Sequence, residues 1–445
     1  MSYFPGDSQI FGPLFGDDRV DELFSDARYL QTIIEVEVAL AKVQGQTGLI
    51  PSEAADRICR RGGSLEADTC RLAAATARDG FPIVELVRQL RAHVGGDADS
   101  FVHWGATTQD VIDTALVLRL REALTLIEGS LSEVIEQLAD LATKHGETLM
   151  VARTHGQHAL PTTFGYKVAL WLAPLLRHRN RLGELRPRLL VVQLGGAAGT
   201  LASLGEKGPE VREALAAELG LGVPLGPWHA QRDALAEFSG WLSMVTGGLG
   251  KLALDVILMS QTEVGEVHES ADSELGGSSA MPQKRNPIRS EAILAAARQN
   301  AVLLGGVHQA LVQEHERGTH GWQLEWMTLP QMVGLTSGAL RNAVAVTAGI
   351  QVNEDRMLQN VHRSNGLLMA EAASLLLSEV MPRAEAHATV KKGVATSRET
   401  GRNLIDVLEE HVESELDWMA LRDESRYLGA AKTFTNDIVR AASRS

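Results

Sequence analysis

The chain has 445 residues, of which 44% are apolar and only 4% aromatic, and its formal net charge is −14. That length predicts about two to three domains, and the acidic balance disfavours nucleic acid or an anionic membrane as a partner. Two cysteines, Cys59 and Cys70, are too few for a disulfide framework or a cysteine-only metal site. The first residues lack the charged and apolar regions of a signal peptide, so we expect a soluble, cytoplasmic protein.

Helical spacing extends along most of the chain, while alternating strand patterns are few. The abundance of Ala, Leu, Glu and Arg also favours helix. The most apolar long stretch, Trp241–Thr262, carries Lys251 and Asp255, whose charges predict a buried bundle helix rather than a membrane span. The long segments together predict an all-α fold with a long central helical bundle. They are Tyr29–Thr47, Val111–His145, Ala234–Val267, Ile288–Gln313 and Ser364–Val380.

The first polar cluster in chain order is the glycine turn His103–Asp110, which leads into a predicted helix. Hydroxyls and backbone N–H groups at a helix N-terminus bind anions readily, so Thr107 and Thr108 are candidates for holding a carboxylate. Taken alone, the simpler interpretation is ordinary N-capping by one of the two threonines.

The second polar cluster reads Arg-Thr-His-Gly-Gln-His over residues 153–158. His155 is a candidate general acid or base, because an imidazole titrates near neutral pH. His155 and His158 have the spacing of a metal pair on a helix, yet Gly156 and Pro161 argue against a helix there. Since no further ligand set is close in sequence, we expect neither a metal nor a cofactor.

Two other segments carry weak signals. Gly195–Gly199 has the glycine content of a dinucleotide-binding loop, but no strand–helix–strand pattern surrounds it. Gln313–His320 is a charged run without the His-Glu-x-x-His spacing of metalloproteases, and solvent exposure is its default interpretation.

The segment Gly276–Pro287 contains two glycines, two serines and two prolines, so no helix is expected to run through it. One interpretation is a surface connection with solvated cations. The other is a loop that closes over a substrate, in which Lys284 supplies charge for a carboxylate and Asn286 supplies hydrogen bonds.

Together these segments resemble the fumarase/aspartase superfamily, which includes argininosuccinate and adenylosuccinate lyases. Gly277–Pro287 matches its mobile-loop signature Gly-Ser-Ser-x-Met-Pro-x-Lys-x-Asn-Pro throughout. Thr154-His155 matches its Thr-His element, and residues 107–110 match its Thr/Ser-x-Asp turn. The three regions occur in the superfamily's order, and the likeness covers nearly the whole chain.

The resemblance implies a three-domain, all-α, fumarase/aspartase-like protomer. It also implies a homotetramer in which each active site draws on three subunits. Composition sets only soft domain boundaries. The predicted domains are an N-terminal helical domain at 1–109, a central long-helix bundle at 110–349 that carries the mobile catalytic loop 276–287, and a C-terminal helical domain at 350–445.

The resemblance further implies roles for three loop residues. Ser278 matches the residue that removes the proton next to a carboxylate. Lys284 and Asn286 match positions that bind that carboxylate and stabilise its aci-carboxylate intermediate. The chemistry suits these residue types, because a serine is a poor base unless it is desolvated and close to positive charge.

Histidine roles follow from the same resemblance. His155 matches the partner of a glutamate, which is Glu291 in this chain, and His158 is the alternative acid. Which histidine is the acid stays open. The remaining candidate substrate-binding residues are Thr107, Thr108, Thr154, Gln157, Gln231 and Arg317.

Within the superfamily, several stretches are similar to the bacterial 3-carboxy-cis,cis-muconate cycloisomerases. This likeness implies a small di- or tricarboxylate substrate and lactone formation, the reverse of a β-elimination. A purine nucleotide is disfavoured, because Trp326 stands where adenylosuccinate lyases have a phosphate-binding arginine. The similar stretches are Pro227–Asp233, Gln261–Val267, Gln313–Arg317, Glu325–Pro330 and Tyr427–Gly429.

One departure supports an alternative. Cycloisomerases of this type often have a tryptophan at the position of His155, and an intact Thr-His element is closer to the C–N and C–O lyases. The alternative function is therefore a lyase that releases fumarate from a non-nucleotide substituted succinate. A catalytically silent structural homologue is disfavoured, since the motif residues are all present: His155, Ser278, Lys284, Asn286 and Glu291.

Overall fold

The computed structural model describes residues 5–270, 276–277, 281, 283–412 and 415–443. Most of them are helical. In chain order the α-helices are α1 (Gly12–Phe15), α2 (Asp18–Asp21), α3 (Asp26–Gln46), α4 (Ser52–Gly62), α5 (Thr69–Asp79), α6 (Ile83–Val94), α7 (Thr108–Lys144), α8 (Phe164–Leu189), α9 (Gly208–Leu219), α10 (Asp233–Met259), α11 (Ile288–Ala310), α12 (Gly321–Gly349), α13 (Glu354–His362), α14 (Ala370–Leu377), α15 (Arg383–Thr400), α16 (Leu404–His411), α17 (Trp418–Leu421) and α18 (Ala431–Ala442).

Strands are few and short in the described ranges. The longer pair, β1 (Leu149–Thr154) and β2 (Gln157–Thr163), forms an antiparallel hairpin. The shorter pair, β3 (Val267–His268) and β4 (Gln351–Val352), is also antiparallel. The all-α prediction is confirmed, although the sequence patterns did not reveal the hairpin.

Helix α7 illustrates why the long segments fold as helices. It runs for 37 residues, and every residue from Val111 to Leu120 is buried. A helix that is buried on all sides needs apolar or fully hydrogen-bonded side chains around its whole circumference, which marks the centre of a bundle. Two polar members of this stretch, Asp113 and Thr114, are accordingly hydrogen-bonded. The third, Arg119, packs against the rings of Phe24 and Tyr29.

Helix α10 is the most apolar long helix in the described part of the chain. By length and composition it could cross a membrane, but 56% of its most apolar window is buried inside the protein. Phe238 and Trp241 are fully buried, and the Trp241 indole donates to the carbonyl of His178 at 2.9 Å. These contacts are those of a core helix, as the sequence predicts.

The described residues form two compact units. Unit 1 draws on residues 1–130, 178–247 and 296–341, and unit 2 on residues 131–177, 248–295 and 342–445. In unit 1, the apolar faces of α3, α4, α6 and α9 pack with the start of α7. In unit 2, α14, α15, α16 and α17 share an apolar core. The three-domain division stays a prediction.

Unit 1 also buries a charged triad. The guanidinium of Arg232 contacts both oxygens of Asp113, at 2.6 and 3.1 Å, and both oxygens of Glu325, at 2.8 and 2.5 Å. Burial alone would lower the pKa of Arg232, but the two carboxylates raise it above its ordinary value. The triad joins α7, α10 and α12, because Arg232 lies just before Asp233 at the start of α10.

Candidate active site

The turn before α7 is held by the side chain of Asp110. Because α7 begins at Thr108, Thr107 is its N-cap, and the backbone N–H of Thr107 donates to Asp110 Oδ2 at 2.9 Å. The Thr107 hydroxyl accepts a hydrogen bond from Arg317 Nη1 at 2.7 Å. A hydroxyl that accepts one bond still has its own O–H to donate. The fold thus brings Thr107 and Arg317 together and leaves the hydroxyl hydrogen of Thr107 for a carboxylate.

The carboxylate of Asp110 is the centre of this region. It is 1% exposed and accepts from Gly195 N at 2.8 Å, from Gly196 N at 2.9 Å and from His229 Nε2 at 2.8 Å. An ionised carboxylate only accepts, so Nε2 of His229 carries the proton. The segment with the appearance of a dinucleotide loop thus binds an anion, but that anion is the protein's own aspartate.

The Thr-His element lies at the tip of the β1–β2 hairpin. Thr154 pairs with Gln157, and the two residues between them, His155 and Gly156, have φ angles of 50° and 74°. These angles are those of a two-residue type I′ turn. All four predicted residues of this segment (Thr154, His155, Gln157 and His158) are exposed. Because this segment is a hairpin, His155 and His158 do not lie on one face of a helix, as a metal pair at that spacing would require.

An ion pair fixes the hairpin in unit 2. Arg153 donates to both oxygens of Glu266, at 2.8 and 2.6 Å, and Glu266 is fully buried. Asn360 donates to the same carboxylate at 2.9 Å. Burial, together with the charges of Arg153 and Arg363, lowers the pKa of His158. His158 is therefore neutral near pH 7 and can both donate and accept a hydrogen bond.

A cavity of about 580 Å³ opens beside the hairpin, lined by Gln157, His158, Arg363, Ser364 and Arg398 among others. Neither arginine forms an ion pair with a carboxylate in the described part of unit 2. The Ser364 hydroxyl is buried and has no hydrogen-bond partner among those residues. The sequence analysis did not single out Arg363 or Arg398, because each is an isolated arginine outside any motif.

The base of the loop 276–287 is clamped. Asn286 donates to the carbonyl of Gly276 through both its backbone N–H and its side-chain amide, each at 3.0 Å. Gly277 and Arg285 form a bridge beside this clamp. The predicted base Ser278 lies outside the described residues. Asn286 thus braces the loop with one amide hydrogen and keeps a second for a substrate carboxylate.

The start of α11 is capped by Glu269. This buried carboxylate accepts from the backbone N–H of Ser290 at 2.6 Å and of Arg289 at 3.1 Å. Lys284 and Glu291 are both exposed, on either side of that helix start. No hydrogen bond or ion pair joins Glu291 to His155 within the described residues of unit 2.

The two remaining substrate-binding candidates lie in unit 1. Thr108 is the half-buried first residue of α7, and Gln231 is exposed within the Trp228–Arg232 segment.

In the described ranges, no group of three His, Cys, Asp or Glu side chains could hold a metal ion.

A family model described as lyase matches residues 17–301. The chain belongs to the fumarase/aspartase superfamily. The 3-carboxy-cis,cis-muconate cycloisomerase of Pseudomonas aeruginosa is 43% identical over 442 residues, which cover 98% of this chain and 96% of that protein. The compared region therefore spans the positions of all the candidate site segments.

Two solved structures have the same fold. The 3-carboxy-cis,cis-muconate lactonizing enzyme from Pseudomonas putida has a TM-score of 0.92 at 41% identity, covering 98% of this chain and 99% of that chain. A fumarate lyase from Mesorhizobium sp. BNC1 has a TM-score of 0.90 at 42% identity, covering 96% and 98%. The helical fold predicted from the superfamily resemblance is confirmed, and the chain is an enzyme of the superfamily's lyase and cycloisomerase class.

The loop clamp generates a test. Gly276 has a φ of 73°, and a Cβ there would lie 2.1 Å from the carbonyl oxygen of Asn286. We expect Gly276→Ala to displace the loop base and lower kcat/KM at least about tenfold, while the melting temperature changes by only a few degrees. Gly183→Ala is the matched control, because a Cβ at Gly183 meets nothing within 4 Å. Unchanged kcat/KM in Gly276→Ala would contradict the clamp's role.

Proposed function

We propose that this protein is a 3-carboxy-cis,cis-muconate cycloisomerase. The observation that carries the proposal is the near-full-length similarity to a cycloisomerase of that name, over a chain that keeps the complete loop signature 277–287. The reaction adds a substrate carboxylate oxygen across a conjugated double bond and closes a lactone ring. We further propose that the enzyme is soluble and cytoplasmic and serves aromatic catabolism.

The proposed reaction passes through an aci-carboxylate. As the C–O bond forms, the alkene electrons move onto the neighbouring carboxylate, and a proton then adds to the carbon between them. Ser278 is proposed to deliver that proton and, in the reverse direction, to remove it. Lys284 and the free amide hydrogen of Asn286 would stabilise the developing dianion, which is the largest electrostatic demand of such a step.

Three groups of donors match a tricarboxylate. Thr107, with Arg317 behind it and Thr108 next to it, is proposed to hold one carboxylate together with Gln231. The Lys284–Asn286 pair is proposed to hold a second. The cavity beside the hairpin, with Arg363, Arg398 and the unpartnered Ser364 hydroxyl, is suited to a third, since guanidinium groups bind carboxylates through paired hydrogen bonds. Gln157 and His158 line that cavity, and Thr154 pairs with Gln157 in the hairpin.

We propose that the groups act together in a homotetramer, each active site drawing on three subunits. Large apolar side chains exposed on the long helices support an oligomer, because a soluble monomer rarely exposes many of them. They include Met244, Leu254 and Leu258 of α10 and Val302 of α11, which are 44%, 37%, 45% and 72% exposed.

A second function is favoured by His155. A carboxylate attacking or leaving in lactone chemistry needs no proton, whereas an amine or alkoxide leaving group needs a general acid. His155 is held at a positive φ that a non-glycine residue adopts only at a cost, and such outliers concentrate at functional sites. The alternative is therefore a lyase that releases fumarate from a substituted succinate, with Glu291 as the partner of His155.

The first test follows the ultraviolet absorbance of 3-carboxy-cis,cis-muconate mixed with the purified protein. We expect the conjugated-diene band to disappear with the wild-type protein and to persist with Ser278→Ala, because lactone closure removes the conjugation. Ser279→Ala is the matched control and should stay active. An unchanged band with the folded wild-type oligomer would contradict the cycloisomerase proposal.

His155→Gln separates the two functions. Under lactone chemistry we expect kcat to fall by less than about tenfold, because the leaving or attacking carboxylate requires no acid. Under amine or alkoxide elimination, kcat should fall by roughly 10² to 10⁴. The rate is measured on the substrate that the wild-type protein turns over. If lactone closure slowed by that larger factor, the result would contradict the claim that the attacking carboxylate needs no proton.

A further inference from the structure

Arg119 of α7 is a buried cation without a counter-ion. Its residue is 5% exposed, its Nε donates to the carbonyl of Ala115 at 3.3 Å, and its guanidinium carbon lies 5.0 Å from the Tyr29 ring centre and 5.5 Å from that of Phe24. No carboxylate pairs with it in the described ranges. The other buried arginine, Arg232, pairs with two.

The guanidinium of Arg119 keeps unused donors. Burial lowers its pKa to about 10, so it still carries its charge near neutral pH. Aromatic faces offset part of the desolvation of a cation, but they do not saturate a guanidinium, which has five N–H groups. Among the described residues, its two terminal amino groups make no hydrogen bond. The Tyr29 hydroxyl likewise has no hydrogen-bond partner there.

These donors border a cavity in unit 1. Its volume is about 710 Å³, within the range of small-molecule sites, and its walls are mainly apolar, with Leu72, Ile112, Leu116 and Trp326 among them. Two acids, Asp26 and Glu325, also border it. Glu325 is already held by Arg232 through both oxygens, and Asp26 is not paired with Arg119.

We propose that this cavity binds a small monocarboxylate with a flat apolar or aromatic body. The ligand carboxylate would accept from the terminal amino groups of Arg119 and from the Tyr29 hydroxyl, and its body would pack against the apolar walls. One carboxylate matches one buried cation. A second would meet apolar side chains or be repelled by Glu325, so the di- and tricarboxylates of the proposed reaction fit poorly. The site is independent of Ser278 chemistry.

Benzoate is the probe, titrated calorimetrically into the native oligomer. We expect one benzoate bound per protomer and no comparable binding of benzamide, its uncharged analogue. Arg119→Met should weaken benzoate binding at least about tenfold, because it removes the charge and the paired donors while keeping most of the volume. Benzoate should raise the melting temperature of the wild-type protein and leave that of Arg119→Met unchanged.

Two variants control for other sites. Arg121→Met removes an arginine two positions along α7, on a different helix face, and should bind benzoate as the wild type does. Lys284→Met should also bind benzoate unchanged. Because Lys284 is proposed to hold a substrate carboxylate, that result excludes the proposed catalytic site as the binding position. The proposal is overturned if benzamide binds as tightly as benzoate or if Arg119→Met retains the affinity for benzoate. It is also overturned if benzoate does not bind to the native oligomer, as expected where a neighbouring subunit fills the cavity.

Discussion

A buried carboxylate must be fully hydrogen-bonded, and this constraint organises the described structure. Asp110 gathers the glycines of the 195–196 turn, His229 and the N-cap of α7 around one charge. Asp113, one helical turn later, holds Arg232 and the Trp322 indole. Glu266 and Glu269 do the same in unit 2, where they fix the hairpin and the start of α11. Each candidate functional segment is thus tied to a helix by an acid that solvent does not reach.

The same constraint makes the unpaired cations informative. Arg232, whose buried charge joins three helices, is paired with two carboxylates. Arg119, buried against aromatic rings, and the Arg363–Arg398 pair beside the hairpin have no carboxylate partner among the described residues. These guanidinium groups are therefore available for anions that are not part of the chain.

The sequence predicts correctly those features that a continuous local pattern of residues determines. The uninterrupted apolar pattern of α7 and the loop signature 277–287 led to the helical bundle and the superfamily, which the structure and the comparisons confirm. Sequence reasoning missed the β1–β2 hairpin, because Pro161 and the absence of an Asn-Gly turn conceal the strands. It favoured ordinary N-capping at Thr107 when that turn was taken alone, since the bond from Arg317, 210 residues away, leaves no local trace. Arg119 drew no attention for the same reason: a missing counter-ion is visible only in three dimensions.

The central claim is that residues distant along the chain act in one site that different subunits assemble. Its most direct test co-expresses Ser278→Ala and Thr107→Val, each inactive alone, and assays the purified mixed tetramers for loss of the 3-carboxy-cis,cis-muconate diene band. If the serine and the threonine of one site come from different subunits, random assortment restores both in about one quarter of the sites. The account therefore predicts roughly that fraction of wild-type activity. Mixed tetramers no more active than their two parents would contradict it.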